Sequence, residues 1–178
     1  MLSLARRLAA DRSGNATIDF AVLLPVMLML LIGVVEFTNM LRLDRKVVSA
    51  AQTTADLITQ KRIVTDGEIT DILRAAELVV EPFSSAPLAL GITAIRFDED
   101  TGAPEMDWQE SRNGGSVPNA LTLAENMGPP GEGVVIVRAT YDYTPIFFGF
   151  VVGQTEIEEV SIMRPRRSAF VEGPTPPS

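Results

Sequence analysis

The residue placement with the most chemical content lies near the head of the chain. Gly14 is followed five positions later by Asp19. Asp19 stands at the edge of an uncharged run, Phe20 to Val35, that reads FAVLLPVMLMLLIGVV. A carboxylate at the edge of a membrane-length apolar helix is costly, so it is usually paired or functional. The free α-amino group of a neighbouring chain would suit it in a low-dielectric setting; the alternative is a carboxylate solvated at the headgroup boundary. A second acidic group, Asp98-Glu99-Asp100-Thr101-Gly102, resembles part of a calcium loop, because hard cations want clustered oxygens. It lacks the rest of the EF-hand spacing and reads first as an acidic hairpin tip. Asp98 and Asp100 are therefore weak metal candidates only.

What the chain lacks narrows its chemistry further. Its 178 residues contain no Cys and no His. Disulfides, thiolate nucleophiles, His-based triads and His-ligated zinc are excluded. No other catalytic constellation stands out, and a carboxylate-pair hydrolase would need perturbed acids in a cleft that nothing in the sequence marks. The expectation is a non-enzyme without a cofactor. Gly128-Pro129-Pro130-Gly131 carries neither a phosphate-loop Lys nor a dinucleotide fingerprint and reads as a loop. A net charge of −8 argues against nucleic acid as a partner.

The elements that must position Asp19 begin with the apolar run. Its sixteen residues cover roughly 24 Å as helix, slightly short of a ~30 Å hydrocarbon layer. Ala16 to Ile18 and Phe37 to Leu41 can extend it, so a span is feasible. A buried helix of a soluble core fits poorly, since Leu, Met and Val occupy all sides of the stretch. A cleaved secretory signal also fits poorly: Glu36-Phe37-Thr38 follows where a small-x-small site is needed. Pro25 lies inside the run. It removes one backbone bond, and either kinks or stretches the helix or is simply tolerated in the membrane. Arg6, Arg7 and Arg12 precede the run and Arg42, Arg45 and Lys46 follow it, so the positive-inside count is tied. Long domains translocate largely regardless of charge. That favours a cytoplasmic head and a translocated body.

The junction Ser13-Gly14-Asn15-Ala16-Thr17-Ile18-Asp19-Phe20-Ala21-Val22-Leu23-Leu24-Pro25 resembles the prepilin class, and most closely the TadE-like family of tight-adherence (Tad) pilus proteins. That family has a Gly, three small residues, Val-Glu-Phe-Ala, three apolar residues and Pro. The resemblance runs on through Gly33-Val34-Val35-Glu36-Phe37 to the Ala50–Ala55 stretch. Further on it holds in general style only, with Tyr141-x-Tyr143-x-Pro145 and Met163-Arg164-Pro165-Arg166. The resemblance implies cutting by prepilin peptidase between Gly14 and Asn15. It further implies pairing of the fifth-position acid, Asp19, with the new amino terminus of a neighbouring subunit. The family usually has Glu where this chain has Asp19, one methylene shorter, which bears on assembly geometry more than on cleavage. The implied partners are the inner membrane, prepilin peptidase, other pilin-like subunits and Tad assembly proteins. The implied role is a minor pilin or pseudopilin, with entry into a filament left open. The competing reading is an uncleaved, membrane-anchored protein whose periplasmic domain binds a partner or senses.

After the membrane run, Phe37 to Gln60 has no Gly or Pro. Its apolar positions Phe37, Leu41, Val48, Ala51, Ala55 and Ile58 recur with helical spacing. One helix from about Ala16 to Gln60 would be roughly 68 Å long. It would serve either as a filament core or as a stalk packed on its own domain. Thr65-Asp66-Gly67-Glu68 is a capping box opening a second helix to about Val80. Strands are expected over Leu88–Phe97, Met106–Glu110, Val134–Tyr143 and Glu156–Met163, with a short helix within Pro118–Asn126. The expected organisation is a basic leader (1–14), a transmembrane and amphipathic helix (15–60), a periplasmic α+β domain (61–167) and a disordered tail (168–178). In fold class this is α+β: a long N-terminal helix, then a small sheet of about four strands covered on one face by one or two helices.

Overall fold

The computed structural model describes residues 13–147 and 153–174, with side chains from Thr17 onward. The leader, residues 1–12, lies outside the described residues.

Helix α1 runs unbroken over Ser13–Thr59, about 70 Å at ~1.5 Å per residue. Its two halves meet different surroundings. In the second half, Leu43, Val47, Ala50, Ala51, Thr54, Ala55 and Ile58 recur every three or four residues, and all are fully buried. Three alanines in this stripe let the helix axis approach closely, and the buried Thr54 hydroxyl donates to the Ala50 carbonyl at 2.8 Å, leaving no polar atom unmet. Of the stripe expected from sequence, Ala51, Ala55 and Ile58 are core. Phe37 and Leu41 are 62% and 44% exposed. The domain instead grips the neighbouring face, from Glu36 through Met40 to Leu43.

Helix α2 spans Asp66–Val79. Its capping box is formed: the Thr65 hydroxyl accepts from the Glu68 amide, and the Glu68 carboxylate accepts from the Thr65 amide at 3.1 Å. Ile69, Ile72, Leu73 and Ala76 then turn inward. Strands β1 (Leu88–Phe97), β2 (Pro104–Arg112), β3 (Gly133–Tyr143) and β4 (Thr155–Met163) form one antiparallel sheet in the order β2-β1-β3-β4. A bulge between Ala94 and Ile95 shifts the β1–β2 register. The central strands are buried almost continuously because both their faces are covered. Leu88, Leu90, Ile92 and Ala94, with Val135, Val137 and Ala139, share one core with α1 and α2. Ile95, Phe97, Val134 and Ile136 form a second with Ala120 and Ala124 of α3 (Ala120–Ala124). The expectation of a sheet covered on one face therefore needs correcting: α3 closes part of the other.

Composition predicts a disordered tail over residues 168–178, yet residues 168–174 are docked. Glu172 bonds to Arg62 and Val64 on either side of an isolated parallel bridge to Ile63. Val171 is buried, and its carbonyl accepts from the Trp108 indole N–H at 2.8 Å. Gly173 lies so close over the Trp108 ring that an added Cβ would sit 2.3 Å from it. Arg166 donates its amide to Thr59 and pairs with Asp56 at 2.7 Å, tying this segment to the end of α1. Residues 175–178 lie outside the described residues.

The buried stripe of α1 yields a stability prediction. Ile58→Ala should destabilise the protein by about 2–5 kcal/mol, the range for an emptied aliphatic core site. Exposed Gln52→Ala should stay within about 0.5 kcal/mol. Denaturation of the detergent-solubilised chain, followed by emission of the single tryptophan, Trp108, distinguishes the two.

Candidate functional site

The first half of α1 carries the residues singled out at the head of the chain. Gly14 and Asn15 sit in its first turn as backbone, and their side chains lie outside the described residues. Asp19 follows about 7.5 Å further along the axis. It is exposed and forms no salt bridge among the described residues. Pro25 lies within the helix, which continues through it. From Ile18 to Val35 the large apolar side chains point outward, including Leu30 at 67% exposure and Val22 at 66%. This helix is long and apolar enough to cross a membrane, and none of its most apolar window is buried by the rest of the chain. Burying that surface in protein would require partners, whereas a bilayer needs none.

At the other end of the apolar run the structure supplies a residue that sequence reasoning did not single out for a role. Glu36 is only 8% exposed. Its carboxylate accepts a hydrogen bond from the Tyr143 hydroxyl. It also accepts the backbone N–H groups of Ile146 at 2.9 Å and Phe147 at 3.0 Å. Two elements make this site. Alternation along β3 turns Tyr141 and Tyr143 inward toward α1, and the segment after Tyr143 bends back so that two consecutive amides face the helix. A buried carboxylate is costly unless its oxygens are hydrogen-bonded; here three donors satisfy it. Burial first, and the Glu36 carboxylate second, push the Tyr143 phenol up to about 12, so it remains a donor across the physiological range. Tyr141 donates to the Ser84 carbonyl at 2.9 Å, and Pro145 is buried. The Tyr-x-Tyr-x-Pro pattern thus builds the clamp that fixes α1 to the sheet. The signal available beforehand was Glu36 itself, an acid directly after sixteen uncharged residues, with aromatic hydroxyls elsewhere to receive it.

The acidic hairpin tip is a self-contained turn. One oxygen of Asp98 accepts from the Thr101 amide and hydroxyl, both at 2.7 Å, and from the Asp100 amide at 3.1 Å. These bonds, the Thr101 hydroxyl foremost, hold the Asp98 carboxyl below its usual range. Gly102 then takes a left-handed φ of +69° to close the turn. Among the described residues no three His, Cys, Asp or Glu side chains converge as a metal site would need. Asp98 is therefore placed to order the turn, and Asp100 contributes its backbone rather than its carboxylate.

The Glu36 clamp is open to a double-mutant cycle. Tyr143→Phe should cost about 1.5–3 kcal/mol, the range for a hydrogen bond to a charged group. In a Glu36→Ala background the same change should cost markedly less, because the acceptor is gone. Additive losses would show that the two residues are not coupled. The pH dependence has a defined sign. Because the folded-state pKa of Tyr143 is raised, the bond's contribution is complete below about 10 and disappears as pH rises toward 12. Tyr143→Phe should shrink that alkaline limb, leaving the part due to Tyr141, whose phenol is also pushed up by burial.

With this geometry in view, comparison with known proteins locates one part of the chain. No curated protein and no solved structure matches it significantly. Residues 14–56, from the glycine in the first turn of α1 to near the end of its buried stripe, match the family model described as TadE-like protein.

Proposed function

We propose that this chain is a minor-pilin or pseudopilin-like component of a Tad-type pilus assembly system, anchored in the inner membrane by the first half of α1. One coincidence carries the reading. The TadE-like match begins at Gly14, and Gly14 lies in the first turn of a helix whose apolar surface is exposed over a membrane-length stretch and is headed by Asp19. In this reading prepilin peptidase cuts between Gly14 and Asn15, the head faces the cytoplasm, and the α+β domain folds in the periplasm. The protein acts by association rather than catalysis. After cutting, the α-amino group of Asn15 becomes a cation at the membrane edge, and the Asp19 carboxylate of an adjacent subunit is its counter-charge. Pro25 removes one backbone bond from the span, giving the helix a point at which to bend or stretch during packing against other subunits.

Processing is tested by the mass of the membrane-extracted chain. In cells with active prepilin peptidase the mature protein should begin at Asn15, and a bulky residue at Gly14 should block cutting. An intact amino terminus at Met1 would instead favour the uncleaved, anchored protein with a partner-binding domain. A reporter fused after Ser178 should be active only on the periplasmic side.

Assembly is tested at Asp19. Asp19→Ala should leave cutting largely intact, since the leader, Gly14 and the apolar helix are preserved, but should reduce co-purification with other pilus components. Leaving one member of a buried ion pair alone costs about 3–5 kcal/mol, against about 0–1 kcal/mol for a solvent-exposed pair. Asp19→Glu should be neutral or improve assembly. Undiminished co-assembly of the Ala variant would reduce Asp19 to an interfacial residue.

A further inference from the structure

Where the apolar run ends, a groove of about 500 Å³ opens between α1 and the connection from α2 to β1. Arg42, Arg45 and Lys46 line one wall together with Asn39, and Pro82 and Phe83 line the other. The three cations and Asn39 lie on one side of the helix, roughly opposite the buried Ala51 and Ala55. None of the three forms a salt bridge among the described residues. Arg62, Arg74 and Arg167 are likewise unpaired there, but only Arg42, Arg45 and Lys46 line a common groove. The domain as a whole is acidic, so three neighbouring cations facing a groove without a protein counter-ion call for an anion from elsewhere.

Their depth identifies the anion. Exposed apolar side chains continue past Val35 to Phe37 and Leu41. At the same level the segment clamped to Glu36 exposes Ile146 and Phe147. Two of the polar side chains there are satisfied within the chain, since Glu36 is buried and hydrogen-bonded and the Thr38 hydroxyl donates to the Val34 carbonyl at 2.7 Å, while Asn39 faces the groove. Phe20 to Leu41 as helix measures about 33 Å, which fits a ~30 Å hydrocarbon layer with modest tilt. Arg42 is the first cation beyond it. The groove therefore opens at the headgroup level, its cations aligned with phosphates and its Phe83 wall against the adjoining glycerol and acyl atoms.

We infer that this groove binds the headgroup of an anionic glycerophospholipid, with Arg42, Arg45 and Lys46 contacting the phosphate. The inference rests on the reading of α1 as a membrane span. It also gives these cations a role on the side of the membrane where the positive-inside tendency does not place them.

The full chain should be reconstituted in phosphatidylcholine nanodiscs containing a minor fraction of phosphatidylglycerol with the same acyl chains. Native mass spectrometry of the released protein then reads the retained lipid. Phosphatidylglycerol should be enriched over its share, and each of Arg42→Gln, Arg45→Gln and Lys46→Gln should lower that preference roughly fivefold, as expected for loss of one cation at an anionic surface. The Arg42→Lys/Arg45→Lys pair should keep most of it. An unchanged melting temperature for the Gln variants shows that the fold is intact. Equal retention of both lipids, or a preference that survives the triple Gln substitution, would overturn the groove alone. Displacement of phosphatidylglycerol by millimolar inorganic phosphate would reassign the groove to a soluble anion. Failure of the parent chain to enter the discs would overturn the membrane span, and the lipid site with it.

Discussion

The structure turns on one carboxylate placed where the domain first grips a single long helix. Helix α1 is exposed and apolar on nearly all sides before Glu36 and is buried along one stripe after it. An acid there is unfavourable in hydrocarbon and unfavourable in a protein core. Three donors from Tyr143, Ile146 and Phe147 remove the conflict. They also fix the azimuth of the helix: with Glu36 held against the end of β3, Leu43, Val47, Ala50 and Ala51 must follow on the sheet-facing side. The rotation of the span relative to the domain is thus set by a polar contact at the boundary and by aliphatic packing beyond it.

The domain is built to hold that helix from several directions. Small residues at Ala50, Ala51 and Ala55 bring α1 close to β3 and β4, and α2 packs beside it. The last described segment closes on the far end, where Arg166 meets Asp56 and Thr59 and Glu172 pairs across Ile63. Trp108 joins this segment to β2 through its indole N–H and through the close approach of Gly173. Helix, sheet and C-terminal segment therefore form one packed body, and the apolar first half of α1 extends from it.

Much of this arrangement was legible from local signals. The strand spans rich in Val, Ile and aromatic residues, the Thr65–Glu68 capping box and the Gly- and Pro-free second half of α1 each depend on a few adjacent residues, and each appears where the sequence places it. What escaped depends on residues distant in the chain. Phe37 and Leu41 have the spacing of a core stripe, but which face of a helix is buried depends on where the sheet docks, and Glu36 with its partners more than 100 residues away decides that. Residues 168–174 look like a solvated tail by composition. Backbone bonds to Arg62 and Val64 and the ring of Trp108 hold them, and composition carries none of these contacts. The junction at Gly14 and Asp19 was legible for the opposite reason: its meaning lies in short spacing along one helix.

The two acids that bracket the apolar run differ in a way that bears on assembly. Glu36 has its hydrogen-bonding capacity used within the chain, and its position is fixed by the fold. Asp19 is exposed at the head of the part of α1 that nothing else in the described chain covers. A carboxylate near hydrocarbon is stabilised by a cation, and its attraction to one grows as the dielectric falls. An internally satisfied acid has little to gain from a partner, because a new contact must displace bonds already made. An exposed one gains the full difference between a solvated and a paired state. By this argument the clamp at Glu36 fixes the orientation of α1 on its domain, and in the assembly proposed above the gain from intermolecular pairing would be greatest at Asp19, at the opposite end of the apolar run.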